Sequence, residues 1–262
     1  MSNASWAGLL KKEFRLGFPT IVGAFVLMMF FLGLGTYFNL KHQEPGILFS
    51  ISIFVAAVHF FFLPGYMLVS LIKEHSRMHL WLHSLQPGRN LLLAKLINGV
   101  LAAAASMIIP TWICLATFES AVHPFIQLND SWNGLMIGFL IIAHMIGFSL
   151  YVTLWGIFYW VIYRWIAVYF GKISWLITIL IIIGGSVLIS AWSETALFDL
   201  LTEWGAIPIN IDKYVTLLPG GNISLGDMDS YVYAGSYVYY TVVAVIVFLV
   251  SSWLLDRKVE VR

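Results

Sequence analysis

The chain has 262 residues, 60% hydrophobic, 16% aromatic and only 10% charged, with a net charge of +1 and a mean hydropathy of +0.89. Soluble domains carry about 25% charged residues, and no globular interior of this length hides so much apolar surface, so lipid is the solvent for most of the chain. The balanced charge excludes nucleic-acid steering as a theme, and a lone cysteine, Cys114, excludes an internal disulfide and a multi-cysteine metal cluster.

Residues 5–17 predict an interfacial helix. Ser5 stands at its cap, Trp6, Leu9, Leu10 and Phe14 form an apolar stripe, and Lys11, Lys12 and Arg15 lie on the other side, toward lipid headgroups. The first span is expected at 18–38, an apolar run of about 20 residues and too long for the core of a cleavable leader, so no leader is expected. The second span, 47–72, delivers a polar loop at 73–92. Within that loop Met78, Trp81, Leu82 and Leu85 follow the i, i+3, i+4, i+7 spacing of one helical face, with His75, His79 and His83 on another. Gln86, Pro87 and Gly88 then stop the helix.

The third span, 93–118, carries Gly99, Ala102, Ala103, Ala104, Ala105 and Ser106, small residues that let another helix approach closely. After a polar loop at 119–132 comes the fourth span, 133–163, longer than a bilayer core of about 30 Å requires, so it tilts or projects. An aromatic turn at 164–172 leads to the fifth span, 173–192. The sixth, 233–255, precedes a charged tail. Between the last two, residues 193–232 begin with a surface-lying or re-entrant helix: Leu197, Phe198, Leu200, Leu201 and Trp204 face one side, Glu194, Asp199 and Glu203 the other. Pro208, Pro219, Gly220 and Gly221 then predict loop.

Charge sets the orientation. With both termini, 73–95 and 164–172 on one side, that side holds 12 of the 14 lysines and arginines, leaving Lys41 and Lys213, while 9 of the 13 acids fall on the other. The reading is an all-α integral membrane protein with six transmembrane helices and cytoplasmic N- and C-termini, a single domain over 1–262.

No catalytic constellation stands out. His75, His79 and His83 lack a converging carboxylate or cysteine and read as a solvated or partner-facing stripe rather than a metal site. His59 and His144 both fall near mid-membrane, where they either hold haem b between helices, bond another helix, or line a transport path. Tyr151, Trp155 and Tyr159 belong to a dense aromatic run at the cytoplasmic end of the fourth span, either an interfacial belt or a wall for an amphipathic substrate. Gly134 and Gly138 make a weak GxxxG contact signal. Around Gly171 and Lys172 a phosphate loop fails, since Ile166 stands where glycine is needed and Ile173 where a hydroxyl residue is needed.

The architecture resembles the permease subunits of the ABC-2 family of ATP-binding-cassette exporters over essentially the full length. The most specific match is the first cytoplasmic loop, where Glu74, Leu82, Leu85, Pro87, Arg89 and Lys95 stand in the family's order of acid, apolar positions, proline, basic residue and lysine. Arg77, Met78 and His79 stand where the family has a glycine. The resemblance implies a non-catalytic chain without a cofactor of its own, paired with a second permease as a homodimer or heterodimer and with two copies of an ATPase subunit that bind ATP and Mg. It implies a coupling helix whose ATPase contacts are Glu74, Arg77, Met78, Trp81, Leu82, Leu85, Pro87 and Arg89, in a bacterial plasma membrane. The lining chemistry favours a hydrophobic or amphipathic cargo, such as a peptide antibiotic, a lipid-like molecule or a drug, with His59, His144, Tyr151, Trp155 and Tyr159 as candidate path residues. Two other readings stay open: a haem b redox subunit, and a standalone immunity or sensory membrane protein.

Overall fold

A computed structural model of the chain describes residues 3–75, 87–122, 126–128, 134–209, 215–217 and 230–258. Eight helices occur among them: α1 (Asn3–His42), α2 (Pro45–His59), α3 (Phe62–His75), α4 (Gly88–Val122), α5 (Gly134–Phe170), α6 (Ser174–Ser193), α7 (Ala196–Thr202) and α8 (Ala234–Lys258). Five helical stretches are long and apolar enough to cross a membrane: Trp6–His42, Gly46–Glu74, Gly88–Phe118, Gly138–Ser193 and Ala234–Asp256. The chain is therefore a multi-pass helical membrane protein. The fourth stretch is a hairpin. Gly171, at φ +56°, opens a 3-10 turn, Gly171–Ile173, between α5 and α6, and the hydroxyl of Tyr159 on α5 lies against Gly185 on α6. The turn comes later than expected, so residues 164–170 extend α5 instead of forming a loop.

The separate interfacial helix expected at 5–17 is instead the first turns of α1, which continues through Pro19. Its stripe does not face lipid alone. Leu9 and Glu13 are buried, while Lys11, Lys12 and Arg15 remain exposed. A neighbouring surface on α3 and α4 offers burial that a lone amphipathic helix lacks, and this burial overrides the flat-lying geometry.

The second expected span is two helices. Phe60 and Phe61 separate α2 from α3 and bond to the carbonyls three residues back, Ala57 and Val58. Pro64 is the cause: having no N–H, it leaves the Phe60 carbonyl without its helical donor. The Ser149 hydroxyl of α5 donates to that carbonyl at 2.7 Å. In lipid, where water is absent, such a neighbour is what makes a helix break tolerable.

The main core lies where α3, α4, α5 and α8 meet, around Leu63, Met67, Leu71, Leu92, Ile157, Val161 and Leu255. A smaller cluster of Met28, Leu32 and Val55 packs α1 on α2. By contrast, the only buried residues of α6 are Ser174 and Thr178. The helical architecture agrees with the all-α expectation, and two short ladders occur in the connections. Strands β1 (Ile126–Leu128) and β3 (Val215–Leu217) pair antiparallel, as do β2 (Ala206–Ile209) and β4 (Ser230–Tyr233). The first ladder joins the α4–α5 connection to the segment before α8, so both lie at one end of the bundle.

Candidate functional site

Three residues on α3 and α4, together with one on α1, build a charged centre inside the core. Ser70 and Glu74 are one turn apart on α3, and Lys95 lies two turns into α4, so all three side chains meet where those helices face each other. Lys95 is fully buried, and Glu13 of α1 is 1% exposed. The Lys95 ammonium donates to Glu13 Oε2, to Glu74 Oε1 at 3.1 Å and to Ser70 Oγ at 3.0 Å. Three donors thus meet three acceptors, which is the satisfaction a buried ammonium requires. Lys12 adds a weaker contact at 3.7 Å to Glu13 Oε1. Neither Glu13 Oε1 nor Glu74 Oε2 has a hydrogen-bond partner among the described residues.

Neutral contacts reinforce the same junction. Asn98, one turn above Lys95, donates to the Leu10 carbonyl at 3.0 Å and to the Ala94 carbonyl at 3.1 Å. Tyr66 of α3 wedges between α1 and α4, and a Cβ at Gly17 or Gly99 would overlap its ring. Chemically, the assembly is an ion-paired and hydrogen-bonded junction between helices. It locks three helices together at the two flanks of residues 76–86.

Among the described residues, Glu74 is the predicted coupling residue that takes part in the cluster. Arg77, Met78, Trp81, Leu82 and Leu85 lie outside the described residues, as do His79 and His83. Pro87 and Arg89 are exposed at the start of α4. That helix begins at Gly88, sooner than the expected span at 93, because Leu91 and Leu92 are already core residues. The Gly88 N–H donates to Asp256 Oδ1 of α8 at 2.8 Å, so a carboxylate meets the positive end of α4. Sequence reading missed Glu13 and Asp256. The first had a signal: it continues the Leu9 stripe at i+4, an acid on an apolar face. The second had none, since an acid in a charged tail looks solvated.

The five candidate path residues separate into two places. His59, at the end of α2, shares Nε2 with Ser106 Oγ at 2.9 Å and stacks on Phe62. Ser106 Oγ also lies 3.1 Å from the Ala103 carbonyl, to which its hydroxyl donates. This pair borders a groove of about 380 Å³ between α1, the α2–α3 junction and α4. His144, exposed on α5, donates from Nδ1 to the Leu140 carbonyl at 2.8 Å and accepts at Nε2 from the Tyr237 hydroxyl at 2.6 Å. Each imidazole therefore has its Nε2 engaged by a different helix. Tyr151, Trp155 and Tyr159 form a ladder along α5, with Trp155 stacked on Tyr159 at 5.6 Å and Tyr151 edge-on to Tyr240 of α8 at 5.5 Å. Among the described residues, no group of three or more His, Cys, Asp or Glu side chains gathers in a metal-holding arrangement. No family model matches the chain, and neither a curated protein nor a solved structure matches it.

Proposed function

We propose that the chain is a membrane-spanning permease subunit of an ABC-2 type exporter, moving a hydrophobic or amphipathic substrate with ATP hydrolysed by a separate subunit. The observation that carries this reading is the Glu13–Lys95–Glu74 cluster, because it ties both flanks of residues 76–86 to α1. A push on a loop held that way moves three helices together instead of being lost in a flexible hinge. In this reading α1, α2 with α3, α4, α5, α6 and α8 make six crossings, with both termini and the 76–86 loop in the cytoplasm. The β1–β3 ladder supports that threading, which needs the α4–α5 connection and the segment before α8 on one side. Two permeases pair, and two ATPase subunits dock beneath them. Trp81 and Leu82 seat in an ATPase groove, while Arg77 and Arg89 meet its acidic rim. The aromatic ladder on α5 favours an apolar cargo over an ion or a sugar.

The test is co-expression with a neighbouring ATPase. Trp81→Ala and Leu82→Asp are expected to keep the permease folded and membrane-inserted, yet to abolish its stimulation of ATP hydrolysis and export from vesicles. Full export and full ATPase stimulation in both variants would remove the coupling assignment.

A further inference from the structure

The groove beside His59 has a shape and a charge pattern that the transport reading does not use. It runs along α1 from Phe14 to Phe25, about 16 Å, and along α4 from Asn98 to Ser106, about 12 Å. Its walls are almost wholly apolar, and the small residues Ala102 and Ala105 form its floor. Its side is open: Phe14, Val22, Phe25 and Leu101 are between 40% and 62% exposed. At the inner end the polar atoms of His59 and Ser106 satisfy each other. At the other end, Lys11 lies one turn before Phe14, and Arg15 lies two turns before Val22 on the same face. Both cations are exposed, and neither has an ion-pair partner among the described residues.

An apolar slot that opens sideways into hydrocarbon and ends at two exposed cations matches one class of molecule. We propose that this groove binds an anionic diacyl phospholipid of the leaflet on the basic side, with one acyl chain laid along α1 and α4 and the phosphate on Lys11 and Arg15. Charge complementarity selects the anionic headgroup, because each basic residue near a membrane surface is worth about fivefold in anionic-lipid binding. The chain bridges α1 to α4 above the ion cluster, where protein alone leaves a gap. This inference requires only that the chain is a membrane protein, so it stands or falls apart from any ATPase partner.

The experiment uses the purified full chain in phosphatidylcholine nanodiscs with a trace of phosphatidylglycerol carrying a mid-chain diazirine. After irradiation, cross-linked peptides are mapped by mass spectrometry. Cross-links are expected within residues 14–25 and 98–106, competed by unlabelled phosphatidylglycerol and not by phosphatidylcholine. Lys11→Gln with Arg15→Gln, both surface changes, should raise the competitor needed by about 30-fold. Ala102→Phe, which fills the floor, should remove the groove cross-links in a chain whose melting is unchanged. If Ala102→Phe fails to fold, the surface double variant decides alone. Equal competition by phosphatidylcholine, or groove cross-links unaffected by the double variant, would overturn the proposal. Competition by an apolar drug but not by phosphatidylglycerol would also overturn it and assign the groove to cargo.

Discussion

Lys95 is the residue on which the packing of three helices depends. A lysine at full burial survives only because Glu13, Glu74 and Ser70 accept all three of its protons. Removing it leaves two carboxylates facing each other in a low-dielectric interior. Lys95→Met is therefore expected to cost about 3–5 kcal/mol, read as a fall in the thermal unfolding midpoint in detergent. Adding Glu13→Gln and Glu74→Gln should recover much of that loss, since no buried charge then lacks a counter-ion. A Lys95→Met chain as stable as the parent would show that the cluster contributes nothing. The sequence showed Lys95 and Glu74 flanking a loop. Their partnership with Glu13 was not legible, because a contact across 82 positions has no local periodicity to announce it.

At the scale of the element, the α2–α3 break shows how one residue type reshapes a span. Hydropathy marked 47–72 correctly as apolar, and it is blind to an interruption whose flanks are equally apolar. Pro64 was visible in the sequence, whereas the donor that compensates for it, Ser149, sits on a helix that hydropathy treats as uniform. Ser149→Ala should leave the Phe60 carbonyl buried and unpaired, at a cost of about 1–3 kcal/mol. Pro64→Ala restores an N–H at the fourth position after Phe60, so in that background the same serine change should cost far less. A double-mutant cycle on unfolding midpoints measures the difference, and simple additivity would mean that the two residues do not share the carbonyl. The interfacial-helix expectation failed for a related reason. Amphipathicity specifies that one face seeks an apolar surface, and both lipid and a neighbouring helix satisfy it.

Across the whole molecule, composition made the lipid environment and the approximate extent of the long helices legible. The connections beyond the helices were not, since β1 and β3 are three residues each and come from segments far apart in the chain. Their register, with Gln127 opposite Thr216, offers a direct check. In a Cys114→Ser background, cysteines at 127 and 216 should form a disulfide on mild oxidation, and both should react with a membrane-impermeant maleimide from the same side. Labelling from opposite sides would break the shared end of the bundle and the six-crossing threading with it.

The chain order of the buried charges has a consequence for biogenesis. Glu13 and Glu74 both leave the ribosome before Lys95, so the acids reach the membrane while the buried ammonium that they share is still unmade. Until the first turns of α4 emerge, the Glu13 carboxylate has the exposed Lys12 beside it but not the Lys95 ammonium, so the beginning of α1 is expected to stay at the water boundary, stripe down. On that order, the helix seated in the core is expected to start as the surface helix its amphipathic pattern describes, drawn inward when the Lys95 ammonium arrives.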